Sequence, residues 1–136
     1  MIKLTIYGEP IAQGRPRFST VHGRAMAYDP LKSKRYKRDI AIAVKEQYKG
    51  PPLDGPIELT LRVYRSIPKS LTKAQRLAAL SGLLRPAKKP DGSNYQKGIE
   101  DALNGLLWRD DGQIVKATVE KWYSDNPRIE IEVETC

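Results

Sequence analysis

The chain has 136 residues, 40% of them hydrophobic and 29% charged, with a formal net charge of +8. That is the size of one domain with a modest core. No stretch approaches the roughly 20 apolar residues of a membrane span, the N-terminus alternates like a strand and has no signal-peptide core, and the single cysteine, Cys136, excludes an internal disulfide and a cysteine-based zinc site, which fits a cytoplasmic protein.

Residues 1–7 read as a strand with Ile2, Leu4 and Ile6 on one face. Residues 8–30 are rich in Gly and Pro and read as a long loop, whose Arg15, Arg17 and Arg24 suit an anionic partner. His22 lies within it, more a solvent-exposed loop residue than a general base. Residues 31–48 read as a helix buried through Tyr36, Ile40, Val44 and Tyr48, with Ala43 beside them. Lys32, Lys34, Arg35, Lys37 and Arg38 crowd its first two turns, where positive charge opposes the helix dipole. Phosphate binding would account for that arrangement, as would a solvated face.

Residues 56–65 alternate as a half-buried strand. Residues 70–81 read as a helix capped by Ser70 or Thr72, with Leu71, Ala74, Leu77 and Ala78 inward. A basic loop follows, with Arg85, Lys88 and Lys89. Residues 93–106 read as a third helix, buried through Tyr95, Ile99, Ala102, Leu103 and Leu106. Ser93 and Gln96 have the spacing of a capping box at its start, and Gly105 marks its end. Residues 113–123 and 127–135 read as strands joined by Asp125-Asn126-Pro127. Together these elements predict an α+β domain spanning 1–136, a small mixed sheet with helices packed on it.

Charge is unevenly distributed. Residues 1–97 hold 20 Lys and Arg against 7 Asp and Glu, a net +13, whereas residues 98–136 hold 4 against 9, a net −5. The first part suits a polyanion, and the acids of the second suit metal or structural roles. Carboxylates and a lysine stand at both ends of the third predicted helix: Asp91 and Lys97 at its start, Asp110 and Asp111 beyond its end. Hard oxygen ligands with a nearby cation can hold a divalent metal against a phosphate. Each residue also has an ordinary explanation. Asp91 fits a Pro-Asp-Gly turn, Lys97 an i,i+4 pair with Asp101, and Asp111-Gly112 a tight turn. If the Asp110-Asp111 segment is extended, the two side chains point to opposite sides and only one joins Asp91.

The ordered set Lys-Pro-Asp-x-x-Asn-x-x-Lys (Lys89 to Lys97), Asp-Ala-Leu-Asn-Gly (Asp101 to Gly105) and Trp-x-Asp-Asp-x-Gln-Ile-Val (Trp108 to Val115) resembles the RusA family of Holliday-junction resolvases, particularly phage and prophage forms. Gly14 to Phe18, Ile67 to Ser70 and Tyr36 to Arg38 extend the likeness over nearly the whole chain. The resemblance implies a homodimer that binds four-way DNA junctions and, with Mg²⁺ (or Mn²⁺), cuts two opposed strands symmetrically. It implies Asp91, Lys97 and Asp111 as catalytic residues, Asp91 and Asp111 as metal ligands, and Asp110 or Asp101 as candidates for a further one. Arg15, Arg17, Lys32, Lys34, Arg35, Lys37, Arg38, Lys88 and Lys89 would hold the DNA backbone. Ser93 departs from the family pattern, which has a second aspartate there. Two other readings follow: a structure-selective nuclease acting on flaps or forks, and a junction-binding protein that cuts weakly or not at all.

Overall fold

The alternation of Ile57, Leu59, Leu61 and Val63 makes β4 (Ile57–Ser66) the centre of the structure. All four side chains are buried on one face, while Glu58, Thr60 and Arg62 project from the other. The computed structural model describes residues 1–13, 17–21, 24–28 and 31–136, with 17–21 and 24–28 described by backbone alone. The described elements are β1 (Ile2–Tyr7), β2 (Arg17–Val21), β3 (Arg24–Tyr28), α1 (Leu31–Gln47), β4, α2 (Lys73–Leu80), α3 (Gly92–Leu103), a 3-10 turn (Asp111–Gln113), β5 (Ile114–Ser124) and β6 (Arg128–Thr135). Four strands form a mixed sheet in the order β1-β6-β4-β5. β6 is antiparallel to both β1 and β4, and β5 is parallel to β4. The β5–β6 connection therefore passes over the end of β4, so that β4 lies between two strands that are consecutive in sequence.

The sheet is covered on one side. Tyr36, Ile40 and Val44 of α1 and Tyr95, Ile99 and Leu103 of α3 meet the inward strand residues, together with Leu107 and Trp108. Trp108 has no exposed surface. The other side is ionic. Arg62 reaches Glu120 at 3.1 Å and Glu132 at 2.9 Å, and Arg128 reaches Glu130 at 3.0 Å. Hydrogen bonding to Glu132 raises the guanidinium pKa of Arg62 further. Much of the acidity after residue 97 is thus absorbed by a solvated sheet face.

The structure corrects three expectations. Residues 8–30 are not a plain loop, since β2 and β3 pair antiparallel with Arg17 opposite Tyr28 and Val21 opposite Arg24. β-branched and aromatic residues at Phe18, Thr20, Val21 and Tyr28 supply the strand preference that the flanking Gly and Pro obscure. The second helix is shorter than 70–81 and buries Ala79, leaving Leu77 60% exposed. Two turns lying against β5 touch the sheet through one small side chain and offer no broad inward stripe. Its cap is Thr72, whose hydroxyl accepts the Gln75 N–H while the Gln75 side chain accepts the Thr72 N–H. The third helix ends at Leu103, because Gly105 takes φ +84° and turns the chain so that its N–H reaches the Trp108 carbonyl.

Candidate active site

Asp91 is the residue from which α3 starts, and its carboxylate makes no capping hydrogen bond. The capping box expected at Ser93 and Gln96 does not form: Ser93 lies inside the helix, and the Gln96 amide donates to Glu100 at 3.0 Å. The helix begins earlier because residue 92 is glycine. A Cβ there would lie 3.3 Å from Val119 Cγ1, so glycine lets the first turn settle against β5. Asp91 is left exposed with its side chain uncommitted to the cap, at the positive end of the helix dipole.

The segment before Asp91 is tied down by cations from the sheet. The Lys121 ammonium donates to the carbonyls of Lys88 and Pro90, both at 3.0 Å. Arg65 donates to the Lys89 carbonyl at 3.2 Å. Arg85 donates to the Lys121 carbonyl at 2.9 Å and stacks over Trp122 with its guanidinium 3.6 Å from the ring centre. Sequence reading missed Lys121 and Arg65, though a signal was present. The alternation that turns Val63 and Val119 toward the helices turns Arg65 and Lys121 the same way. The side chains of Lys88 and Lys89 remain exposed, with their backbone fixed.

On α3, Lys97 is 67% exposed at its side chain and lies 3.9 Å from Asp101, which also pairs with Lys37 of α1 at 3.3 Å. Asp101 therefore stands between two ammonium groups. On α1, Lys32, Lys34, Arg35 and Arg38 are exposed, and the first turn carries no acid. Beneath them Tyr36 is buried, which pushes its phenol well above the ordinary range and keeps it neutral. The chain at Gln13 docks on α3, its N–H on the Asn94 carbonyl at 3.1 Å. Arg15 and His22 lie outside the described residues, as does the side chain of Arg17.

Asp110 and Asp111 have different surroundings. Asp110 is extended and caps the 3-10 turn, accepting the Gly112 N–H at 2.9 Å. Gln113 returns the bond to the Asp110 N–H and ties the turn to the carbonyls of Leu53 and Gly55. Asp111 is already in the 3-10 turn, so the segment is extended only at Asp110 and the condition for the two side chains to point to opposite sides is not met. Its Oδ1 accepts from the indole of the buried Trp108 at 2.8 Å, which orients the carboxylate and keeps Oδ2 out of the turn's own hydrogen bonding.

Asp91 and Asp111 do not meet within one chain. Gly92, next to Asp91, lies against Val119, while the turn that holds Asp111 precedes Ile114, five strand residues or about 16 Å away. Oxygen ligands of one Mg²⁺ lie ~2 Å from it. Accordingly, no group of three or more His, Cys, Asp or Glu among the described residues is placed to hold a metal ion.

Residues 7–134 match the family of the endodeoxyribonuclease RusA, and the chain belongs to that family. It is 45% identical over 134 residues to an uncharacterized protein, YqaN, of Bacillus subtilis (strain 168), an alignment covering 97% of this chain and 94% of that one. The family class is that of DNA-cutting hydrolases. No helix among the described residues is long and apolar enough to cross a membrane.

Proposed function

We propose that this protein is a metal-dependent Holliday-junction resolvase: a homodimer in the bacterial or phage-infected cytoplasm that binds four-way DNA junctions and hydrolyses two opposed strands. The observation that carries this reading is the family match across residues 7–134 with the acids and lysine of its motifs present at Asp91, Lys97, Asp110 and Asp111. Cations on the helix side and acids on the open sheet face favour approach of DNA from the helix side. Lys32, Lys34, Arg35, Arg38, Lys88 and Lys89 would bear on phosphates and read no bases.

The donor chemistry suits Mg²⁺, since Asp91 and Asp111 each offer carboxylate oxygen not spent on a cap. A bound Mg²⁺ would polarise the scissile phosphate and lower the pKa of an attacking water. Because α3 holds the two acids apart, each centre takes Asp91 from one protomer and Asp111 from the other. Twofold symmetry then yields two identical centres, as paired incision needs. Lys97 neutralises charge gathering on the phosphate.

Mixing two inactive variants tests this directly. Asp91→Asn and Asp111→Asn are each expected to leave junctions uncut in Mg²⁺. A heterodimer formed from the two contains one centre with both acids intact, so the re-equilibrated mixture should nick junctions in one strand. A mixture as inert as its parents would show that both acids act within one chain. A parent protein that cuts flaps or forks faster than four-way junctions would replace the resolvase reading with that of a general structure-selective nuclease.

A further inference from the structure

Each carboxylate oxygen of Asp101 faces a different ammonium group. Oδ2 lies 3.3 Å from Lys37 Nζ on α1, and Oδ1 lies 3.9 Å from Lys97 Nζ on α3. The two grips are unequal. The Lys37 side chain is 20% exposed and donates a hydrogen bond to Asp101. Lys97 is 67% exposed and stands too far off for a hydrogen bond. A lysine four residues before its acid is also the weaker order of an i,i+4 pair. The next acid on α3, Glu100, is engaged by the Gln96 amide at 3.0 Å. Lys97 thus rests loosely against a carboxylate that another helix already neutralises. Lys37 is also set apart from its neighbours: Lys32, Lys34, Arg35 and Arg38 are exposed on α1, whereas Lys37 is half-buried against α3.

We propose that Lys37 is a positioning residue for Lys97: it neutralises Asp101, so that the Lys97 ammonium is free to leave the carboxylate and meet a DNA phosphate. The inference rests on the role of Lys97 proposed above. It gives Lys37 and Asp101 a part in that role, in place of a backbone contact for the first and a metal ligand for the second. A carboxylate and a phosphate compete for the same ammonium. Without Lys37, Asp101 keeps its full charge beside Lys97, holds it more firmly and repels the incoming phosphate. With Lys37 present, the pair left behind when Lys97 turns away is neutral. Lys97 carries its charge on a flexible four-carbon stem and is exposed, so the turn needs no backbone movement. It lies less than two turns after Asp91 on α3.

Two plainer roles for Lys37 predict different behaviour. A lysine that simply touched the DNA backbone would, when removed, weaken binding, and no change at Asp101 would restore it. A lysine that only clipped α1 to α3 would lose its value equally whether it or Asp101 were removed, and removing both would be no better than removing one. Neutralisation of Asp101 predicts the opposite pattern. Removing Lys37 alone is harmful, and removing Asp101 as well relieves the harm.

The test compares Lys37→Met, Lys37→Arg, Asp101→Asn and the double variant Lys37→Met/Asp101→Asn in the full-length protein. The first readout is trace acetylation of Lys97 without DNA or metal, quantified by mass spectrometry against the exposed Lys88 and Lys89. An ammonium held by a carboxylate acylates more slowly, so Lys37→Met should slow labelling of Lys97 about threefold at low salt, and the double variant should return it to the parental rate or above. The second readout is four-way junction DNA in Mg²⁺ at saturating protein, with affinity measured separately in Ca²⁺. Lys37→Met is expected to cut about fivefold more slowly with affinity changed less than about twofold, while Lys37→Arg and the double variant cut near the parental rate. Lys97 labelling that is unchanged in Lys37→Met would overturn the proposal. So would a slow Lys37→Met that Asp101→Asn leaves equally slow, or one whose affinity falls as far as its rate. Labelling needs no cleavage, so a parent that cuts no junction removes the resolvase reading while the hold of Asp101 on Lys97 is still decided.

Discussion

Lys121→Met isolates the support beneath Asp91. Methionine keeps much of the aliphatic stem and removes the ammonium that donates to two carbonyls at 3.0 Å. Hydrogen bonds from a charged donor are worth ~1.5–3 kcal/mol each. Both acceptors lie near the surface, where water can replace the lost donor, so the surviving cost should be about 1–2 kcal/mol in total. For a chain of this length that lowers Tm by about 3–8 °C in a thermal melt. Catalysis should suffer more than stability. Loss of a group that positions a metal ligand typically costs ~10–100-fold in metal affinity, so the Mg²⁺ concentration for half-maximal junction cleavage should rise by that order. Junction affinity measured in Ca²⁺ should change little. The decisive comparison is between the melt and the Mg²⁺ titration. If Tm falls as expected while the Mg²⁺ requirement stays at the parental value, the 88–90 segment does not position Asp91 for metal binding.

Asp111→Asn should abolish cleavage and leave junction binding intact or tighter, because the amide oxygen can still accept from Trp108 while the charge is gone. Asp110→Asn should remain active and lose no more than ~1 kcal/mol in urea unfolding, since asparagine caps as well as aspartate; the reverse pattern would exchange their roles. Ser93→Asp, placed in the first turn of α3 beside Asp91, is expected to lower the Mg²⁺ concentration needed for half-maximal cleavage. An unchanged or higher requirement would show that serine leaves no gap in the ligand set. Junction affinity should fall with log salt at about −0.9 per phosphate contact, and a flat dependence in a filter-binding titration is incompatible with the basic helix side as the DNA surface.

Most of the sheet was legible because its strands alternate cleanly: Ile57 to Val63 and Ile129 to Val133 each announce one buried face. Strand order was not, since periodicity says nothing about neighbours. Asp125-Asn126-Pro127 reads as an ordinary hairpin turn, yet β4 intervenes between the strands it joins. Caps were legible in kind but not always in place. Ser-x-x-Gln at Ser93 is a valid signature and fails there because Gly92 can pack against Val119 and start the helix sooner. The same logic, with an Asp or Thr in the first position, does form at Thr72 with Gln75 and at Asp110 with Gln113. β2 and β3 were hidden by the glycines and prolines around them.

The candidate centre shows why residue identity and residue assembly are separate questions. Side-chain chemistry and motif spacing single out Asp91, Lys97 and Asp111, and Trp108 adds a buried donor that orients one of them. The spacing along β5 sets the two acids about 16 Å apart, Asp91 beside Val119 and Asp111 before Ile114. Two ligands held that far apart in one rigid chain cannot close on a single ion. Two copies related by a twofold axis can present the first acid of one beside the second acid of the other. Within the function proposed above, that separation keeps a single chain from assembling the centre and ties cutting to the presence of two copies.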